Sequence, residues 1–221
     1  MPLHRINNKV ILFVHIPKTG GSTMETWLEN LGPRALKYPG KYAGLLTAPQ
    51  HFHAALIERI IPEDFYDDAF CIVRDPLERL TSEYRWAFRK RQTAPLRGFR
   101  YWRDKDVEAA RTRHFAKWVR QQIAKTAKDP LTRGNHIRPQ SDFTGVSKCR
   151  TYRFETGFDN IIADLADRWK VPRPDVVPHS NATEHQALRI DTGTRKLIDR
   201  FYAVDFETLN YPTAMARTSM A

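Results

Sequence analysis

The sequence predicts an α/β fold, a central parallel sheet flanked by helices, on three observations. Val10-Ile11-Leu12-Phe13-Val14 and Ala69-Phe70-Cys71-Ile72-Val73 are unbroken apolar runs rich in β-branched and aromatic residues, as in strands buried on both faces. The first run leads into a glycine turn. A helical pattern then follows, with Met24, Trp27, Leu28 and Leu31 on one face. Strand, glycine turn and helix, in that order, open many α/β domains.

The elements follow in order. The first strand covers residues 10–15, and Ile16-Pro17-Lys18-Thr19-Gly20-Gly21 is a turn signal. The helix over 22–31 stops at Gly32-Pro33, and a helix over 55–61 stops at Pro62. The second strand, 69–73, runs into Arg74-Asp75-Pro76. Pro76 suits the first turn of a helix continuing through Leu77, Leu80, Tyr84 and Phe88. Residues 107–127 read as a helix, and 128–148, with Pro130, Gly134, Pro139 and Gly145, as a long loop. A strand at 151–154 and helices at 158–169 and 195–202 complete the pattern, without internal repeats or low-complexity sequence.

The 221 residues, 41% hydrophobic, suit a single domain over 1–221. A net charge of +11 implies an anionic partner, but does not choose among nucleic acid, acidic glycan, anionic lipid and phosphorylated small molecule. Cys71 and Cys149 form neither a disulfide framework nor a CxxC cluster, so no metal is expected, and Cys71 reads as a buried reduced thiol. Residues 10–14 are too short a run for a signal sequence or a membrane span. A soluble, cytoplasmic protein is the expectation.

The glycine turn carries the first chemistry. A helix N-terminus presents unpaired N–H groups and a positive dipole end, and Gly20 and Gly21 remove the Cβ atoms that would keep a phosphate away. Ser22 and Thr23 add hydroxyl donors, and Lys18 adds a mobile charge. The plainer alternative is a turn in which Ser22 only caps the helix. No GxxxxGK[ST] sequence is present, which argues against an ATPase or GTPase.

His15-Ile16-Pro17-Lys18-Thr19-Gly20-Gly21-Ser22-Thr23 resembles the 5′-phosphosulfate loop of carbohydrate sulfotransferases of the heparan sulfate 2-O-sulfotransferase and chondroitin sulfotransferase group. Cys71-Ile72-Val73-Arg74-Asp75-Pro76-Leu77-Glu78-Arg79-Leu80-Thr81-Ser82-Glu83-Tyr84 resembles the same group's 3′-phosphate motif, in the right order. Weaker echoes lie at His136-Ile137-Arg138-Pro139-Gln140, Tyr152-Arg153-Phe154-Glu155, His179-Ser180-Asn181 and the segment with Tyr202, Asp205 and Phe206. Ser22-Thr23 stands where many members have Thr-Ser.

The resemblance implies a P-loop-like, nucleotide-binding sulfotransferase fold and transfer of a sulfuryl group from 3′-phosphoadenosine 5′-phosphosulfate (PAPS) to an acceptor hydroxyl, with no metal required. Lys18, Thr19, Gly20, Gly21, Ser22 and Thr23 would hold the 5′ side, and Arg74 and Ser82 the 3′-phosphate. Arg79 shares a helix face with Ser82, yet could equally form a surface ion pair with Glu78 or Glu83. Lys18 would stabilise charge on the departing oxygen. In related sulfotransferases a histidine before an Ala-rich helix start acts as base; His53 aligns better than His51, with His136 next in order. His136 and Gln140 fall on the acceptor side.

Residues 85–120 hold most of the excess positive charge, including Arg97, Arg100 and Arg103, interleaved with Phe88, Phe99, Tyr101 and Trp102. That suits an acidic glycan acceptor; a single-stranded nucleic acid would fit the same composition but is not expected, and a solvated helix face is the plainer reading. The rival function is a non-catalytic glycan- or RNA-binding module.

Overall fold

The computed structural model describes residues 2–37, 47–93, 107–177 and 188–216. Arg97, Arg100, Arg103 and the His179-Ser180-Asn181 echo lie outside them. Five strands form one sheet in the order β3-β1-β2-β4-β5. They are β1 (Leu3–Ile6), β2 (Lys9–Val14), β3 (Arg34–Ala35), β4 (Asp68–Val73) and β5 (Cys149–Arg153). β2, β4 and β5 are mutually parallel, with Leu12 opposite Ala69 and Cys71 opposite Thr151.

The sheet is mixed, which corrects the expectation of a parallel one. β1 runs antiparallel to β2, and β3 antiparallel to β1. Asn7 and Asn8 make the hairpin turn, both at positive φ (46° and 63°). Two left-handed residues are what a two-residue hairpin matched to strand twist requires, and Asn tolerates them.

Eight helices are described: α1 (Gly21–Glu29), α2 (Ala54–Ile60), α3 (Pro76–Thr93), α4 (Val107–Lys128), α5 (Ser141–Thr144), α6 (Phe158–Trp169), α7 (Thr192–Phe201) and α8 (Ala203–Thr208). The segment expected to be one long loop holds a turn at Thr132–Asn135 and the short α5. Both faces of the sheet are covered, because the strands alternate apolar residues to each side. Leu12, Val14, Ala69, Cys71 and Val73 pack with Leu77, Leu80, Phe115 and Tyr202 on one face. Ile11, Phe13, Phe70 and Ile72 pack with Met24, Trp27, Ile161 and Trp169 on the other. Trp27 stacks on Trp169, with ring centroids 5.8 Å apart.

β2 and β4 are adjacent and parallel, so Val14 and Val73 end at the same edge of the sheet. The chain after each strand therefore emerges beside the other, where open α/β sheets place ligands.

Candidate active site

After β2 the chain turns with Lys18 at φ 70° and Gly20 at φ 83°, and α1 starts at Gly21. A Cβ on Gly20 would stand 2.1 Å from Cζ of Phe158, and one on Gly21 would stand 1.9 Å from Nε2 of His15. Both glycines are thus demanded by close packing. No side chain caps α1, and its first N–H groups have no carbonyl one turn back. Thr19 is buried and its hydroxyl donates to the Ile16 carbonyl (2.9 Å), while Thr23 also faces inward. Ser22 is exposed. Lys18 is half-buried, its Nζ 5.2 Å from the centre of the Trp86 ring.

A buried ion pair braces the turn from behind. His15 Nδ1 lies 2.6 Å from Glu25 Oε1, and Lys37 Nζ lies 2.7 Å from the other Glu25 oxygen. Burial opposes ionisation of Glu25, but its interactions with His15 and then with Lys37 outweigh that and carry its pKa down to about 2. The carboxylate therefore fixes His15 against Gly21.

After β4, Asp75 starts α3. Its Oδ1 accepts from Glu78 N–H (2.9 Å), and Pro76 takes the first helical position, where its missing N–H costs nothing. Arg74 projects just before this cap. Its guanidinium lies 4.4 Å from the Phe154 ring centre and 3.8 Å from Glu78, and its side chain is 13% exposed. Phe154 also faces Gly20, so the two motifs share one aromatic wall. Ser82 is half-buried, one turn further along α3 than Glu78. An arginine guanidinium, a lysine ammonium and a helix N-terminus are each groups that bind anions.

A family model described as the sulfotransferase family matches residues 4–212. The chain belongs to the sulfotransferase family. No curated protein and no solved structure matches it. In this sulfotransferase, no group of three or more His, Cys, Asp or Glu among the described residues could hold a metal ion. No described helix is long and apolar enough to cross a membrane.

Arg79, which could have been a surface ion pair, is buried at 1% exposure. Its guanidinium donates to the carbonyls of Pro17 (3.4 Å), His136 (3.3 Å) and Arg138 (2.5 Å). It ties the glycine turn to the 136–138 segment through α3. Gln140, expected on the acceptor side, is fully buried. Its amide receives Arg74 N–H and donates to the Arg74 carbonyl, so it fixes the backbone that carries the guanidinium.

The histidines separate clearly. His51 is buried; its Nδ1 can only donate to the His15 carbonyl (3.2 Å), leaving Nε2 to accept from Gln50 (3.0 Å). Burial, then the nearby His15 and His136, push its pKa well below the ordinary imidazole value. His53 stands at the start of α2 with a buried, unpartnered Nδ1. Burial and Arg138 lower its pKa. His136 bonds through Nδ1 to Glu83 (2.7 Å) and sits against Trp86, ring centroids 5.6 Å apart. His136 and Lys18 thus both lie against the Trp86 ring.

Sequence reasoning passed over Glu25, Trp86 and Arg133, and offered Glu83 only as one alternative partner of Arg79. Glu83 pairs with Arg133 and His136, fifty or more residues away. No local spacing signals such a partnership.

Proposed function

We propose that the chain transfers a sulfuryl group from PAPS to an acceptor hydroxyl, most suitably on a carbohydrate, by in-line displacement with a histidine taking the acceptor's proton. The observation that carries this reading is the meeting of two anion-competent segments at one sheet edge: Lys18 to Ser22 after β2, and Arg74 after β4, with Phe154 against both.

The residues fit such a nucleotide. The α1 N-terminus and the Ser22 hydroxyl would hold the 5′-phosphate, and Arg74 with Ser82 the 3′-phosphate. PAPS supplies the transferable sulfuryl group. Lys18, held over Trp86, would neutralise charge developing on the leaving oxygen. The basic stretch 85–120 would draw in an acidic glycan, and reversing Arg97, Arg100 and Arg103 should raise acceptor KM while sparing nucleotide binding.

Calorimetry with adenosine 3′,5′-bisphosphate and with 5′-AMP tests the reading. The bisphosphate should bind more tightly, and Arg74→Ala and Ser82→Ala should erase most of that preference. Equal affinity for the two ligands rejects a 3′-phosphate site here. Tight glycan binding without nucleotide binding would favour the rival non-catalytic module.

A further inference from the structure

Three imidazoles form a row beneath the glycine turn. His15 meets His51 edge-on at 4.7 Å, and His51 meets His136 edge-on at 5.1 Å. The first two are committed: His15 to Glu25 within a nearly sealed pocket, His51 to a carbonyl and an amide. His136 differs. Its side chain is 17% exposed, and its Nε2 has no hydrogen-bond partner among the described residues and is not closed off from solvent.

Glu83 decides which nitrogen of His136 carries the proton. Burial works against the Glu83 charge, but the bond from His136 and the charge of Arg133 prevail, and its pKa lies below the ordinary value. Arg133 donates twice to Oε1 (2.9 and 2.7 Å), leaving Oε2 for His136 Nδ1. An ionised carboxylate only accepts, so Nδ1 bears the hydrogen and the Nε2 lone pair faces outward. Beside that ring stands Trp86, 40% exposed, whose indole also carries Lys18. Arg79 pins the backbone by bonding the His136 carbonyl. Among the described residues, the charged and titratable groups around His136 include Glu83 and Arg79 from α3, Arg133 from the turn after α4, His51 from the turn before α2, and His15 beyond it.

We infer that His136, held by Glu83, is the proton acceptor of the reaction, in place of His53. This rests on the sulfuryl-transfer reading above. As the acceptor oxygen bonds to sulfur, its O–H bond breaks and the proton forms an N–H bond at His136 Nε2. The sulfur–oxygen bond to the nucleotide phosphate breaks, and its electron pair remains on the phosphate. The imidazolium then returns the proton to solvent. Glu83 is a positioning residue: it sets the tautomer and steadies the imidazolium.

The test combines imidazole ¹H–¹⁵N spectra with sulfate transfer from PAPS, using unsulfated chondroitin and, separately, water as acceptors. Wild-type His136 should show the Nδ1–H tautomer, and Glu83→Gln should abolish that preference. His136→Gln should bind adenosine 3′,5′-bisphosphate as wild type does, yet lose transfer by roughly a hundredfold to ten-thousandfold. His53→Gln should keep most of its transfer. An Nε2–H tautomer in the wild type overturns the inference whatever the variants do. Normal transfer by His136→Gln, or an inactive His53→Gln that still binds nucleotide, also overturns it. A wild-type chain that ignores the 3′-phosphate instead defeats the underlying reading, and this inference with it.

Discussion

At Gly20 the backbone is left-handed, and a Cβ would meet the Phe158 ring. Gly20→Ala adds the left-handed penalty of about 1–2 kcal/mol to an overpacking cost of about 1–3 kcal/mol. The urea midpoint should fall accordingly, and an unchanged midpoint would mean that Phe158 moves aside freely. Lys18→Ala should leave the fold intact and lower turnover at saturating PAPS by about a hundredfold or more, the scale for one preorganised charge stabiliser. Unchanged turnover removes Lys18 from the chemistry. Arg79 makes a different kind of prediction. Arg79→Lys keeps the charge, but one ammonium cannot span the carbonyls of Pro17, His136 and Arg138. Two buried carbonyls left unpaired would cost about 2 kcal/mol or more. A Lys variant as stable as wild type would show that the fork geometry is dispensable.

At the scale of elements, the start of α3 places Arg74 and the Asp75-Pro76 cap places α3. Asp75→Ala removes the acceptor for Glu78 N–H and should cost about 1 kcal/mol. Its backbone N–H still bonds Glu155, so the turn should survive and nucleotide binding should weaken only slightly. Gln140→Met should behave in the opposite way. It unties both backbone groups of Arg74 from the 136–140 segment, and Asp205, which accepts from Gln140 N–H and Ser141 N–H, does not replace them. Affinity for adenosine 3′,5′-bisphosphate should fall by calorimetry, although Gln140 is sealed from any ligand. A Gln140→Met protein with full affinity would mean that Arg74 is held well enough by β4 and Phe154.

The whole molecule should respond to acid through its buried histidines. His4 is 1% exposed, neither ring nitrogen has a partner, and burial lowers its pKa to about 4. His15, His51 and His53 are also lowered. With folded values below unfolded ones, the unfolded chain binds more protons in the intervening range. Stability is therefore full above about pH 6.5 and declines as pH falls toward about 4. Glu25 acts lower: its contribution is present above the ordinary carboxyl range and is lost as pH falls through about 2. The slope between pH 6.5 and 4.5 thus belongs to imidazoles. His4→Leu should flatten it, gaining up to roughly 3 kcal/mol over wild type near pH 4 relative to the difference at pH 7.5. Parallel melting curves for the two proteins across this range would show that His4 does not drive the decline.

Sequence alone determined the elements that local physics controls. The runs in β2 and β4 are too uniformly apolar for a solvated face, Pro76 can only begin a helix, and the 158–169 spacing matches α6 residue for residue. It also determined the two motif turns, because glycine and Asp-Pro leave the backbone little choice. The tertiary structure decided everything that depends on partners far apart in the chain. β1 joined the sheet antiparallel through a two-asparagine turn that its short run did not announce. Arg79 went inward because three carbonyls from two distant loops converge on it. Among the stacked imidazoles His15, His51 and His136, only the folded chain shows which ring nitrogen stays open, since Glu83 meets His136 across 53 residues. Periodicity tells a side chain which face it occupies; which group it finds there is set by how separate elements pack, and no local spacing encodes that.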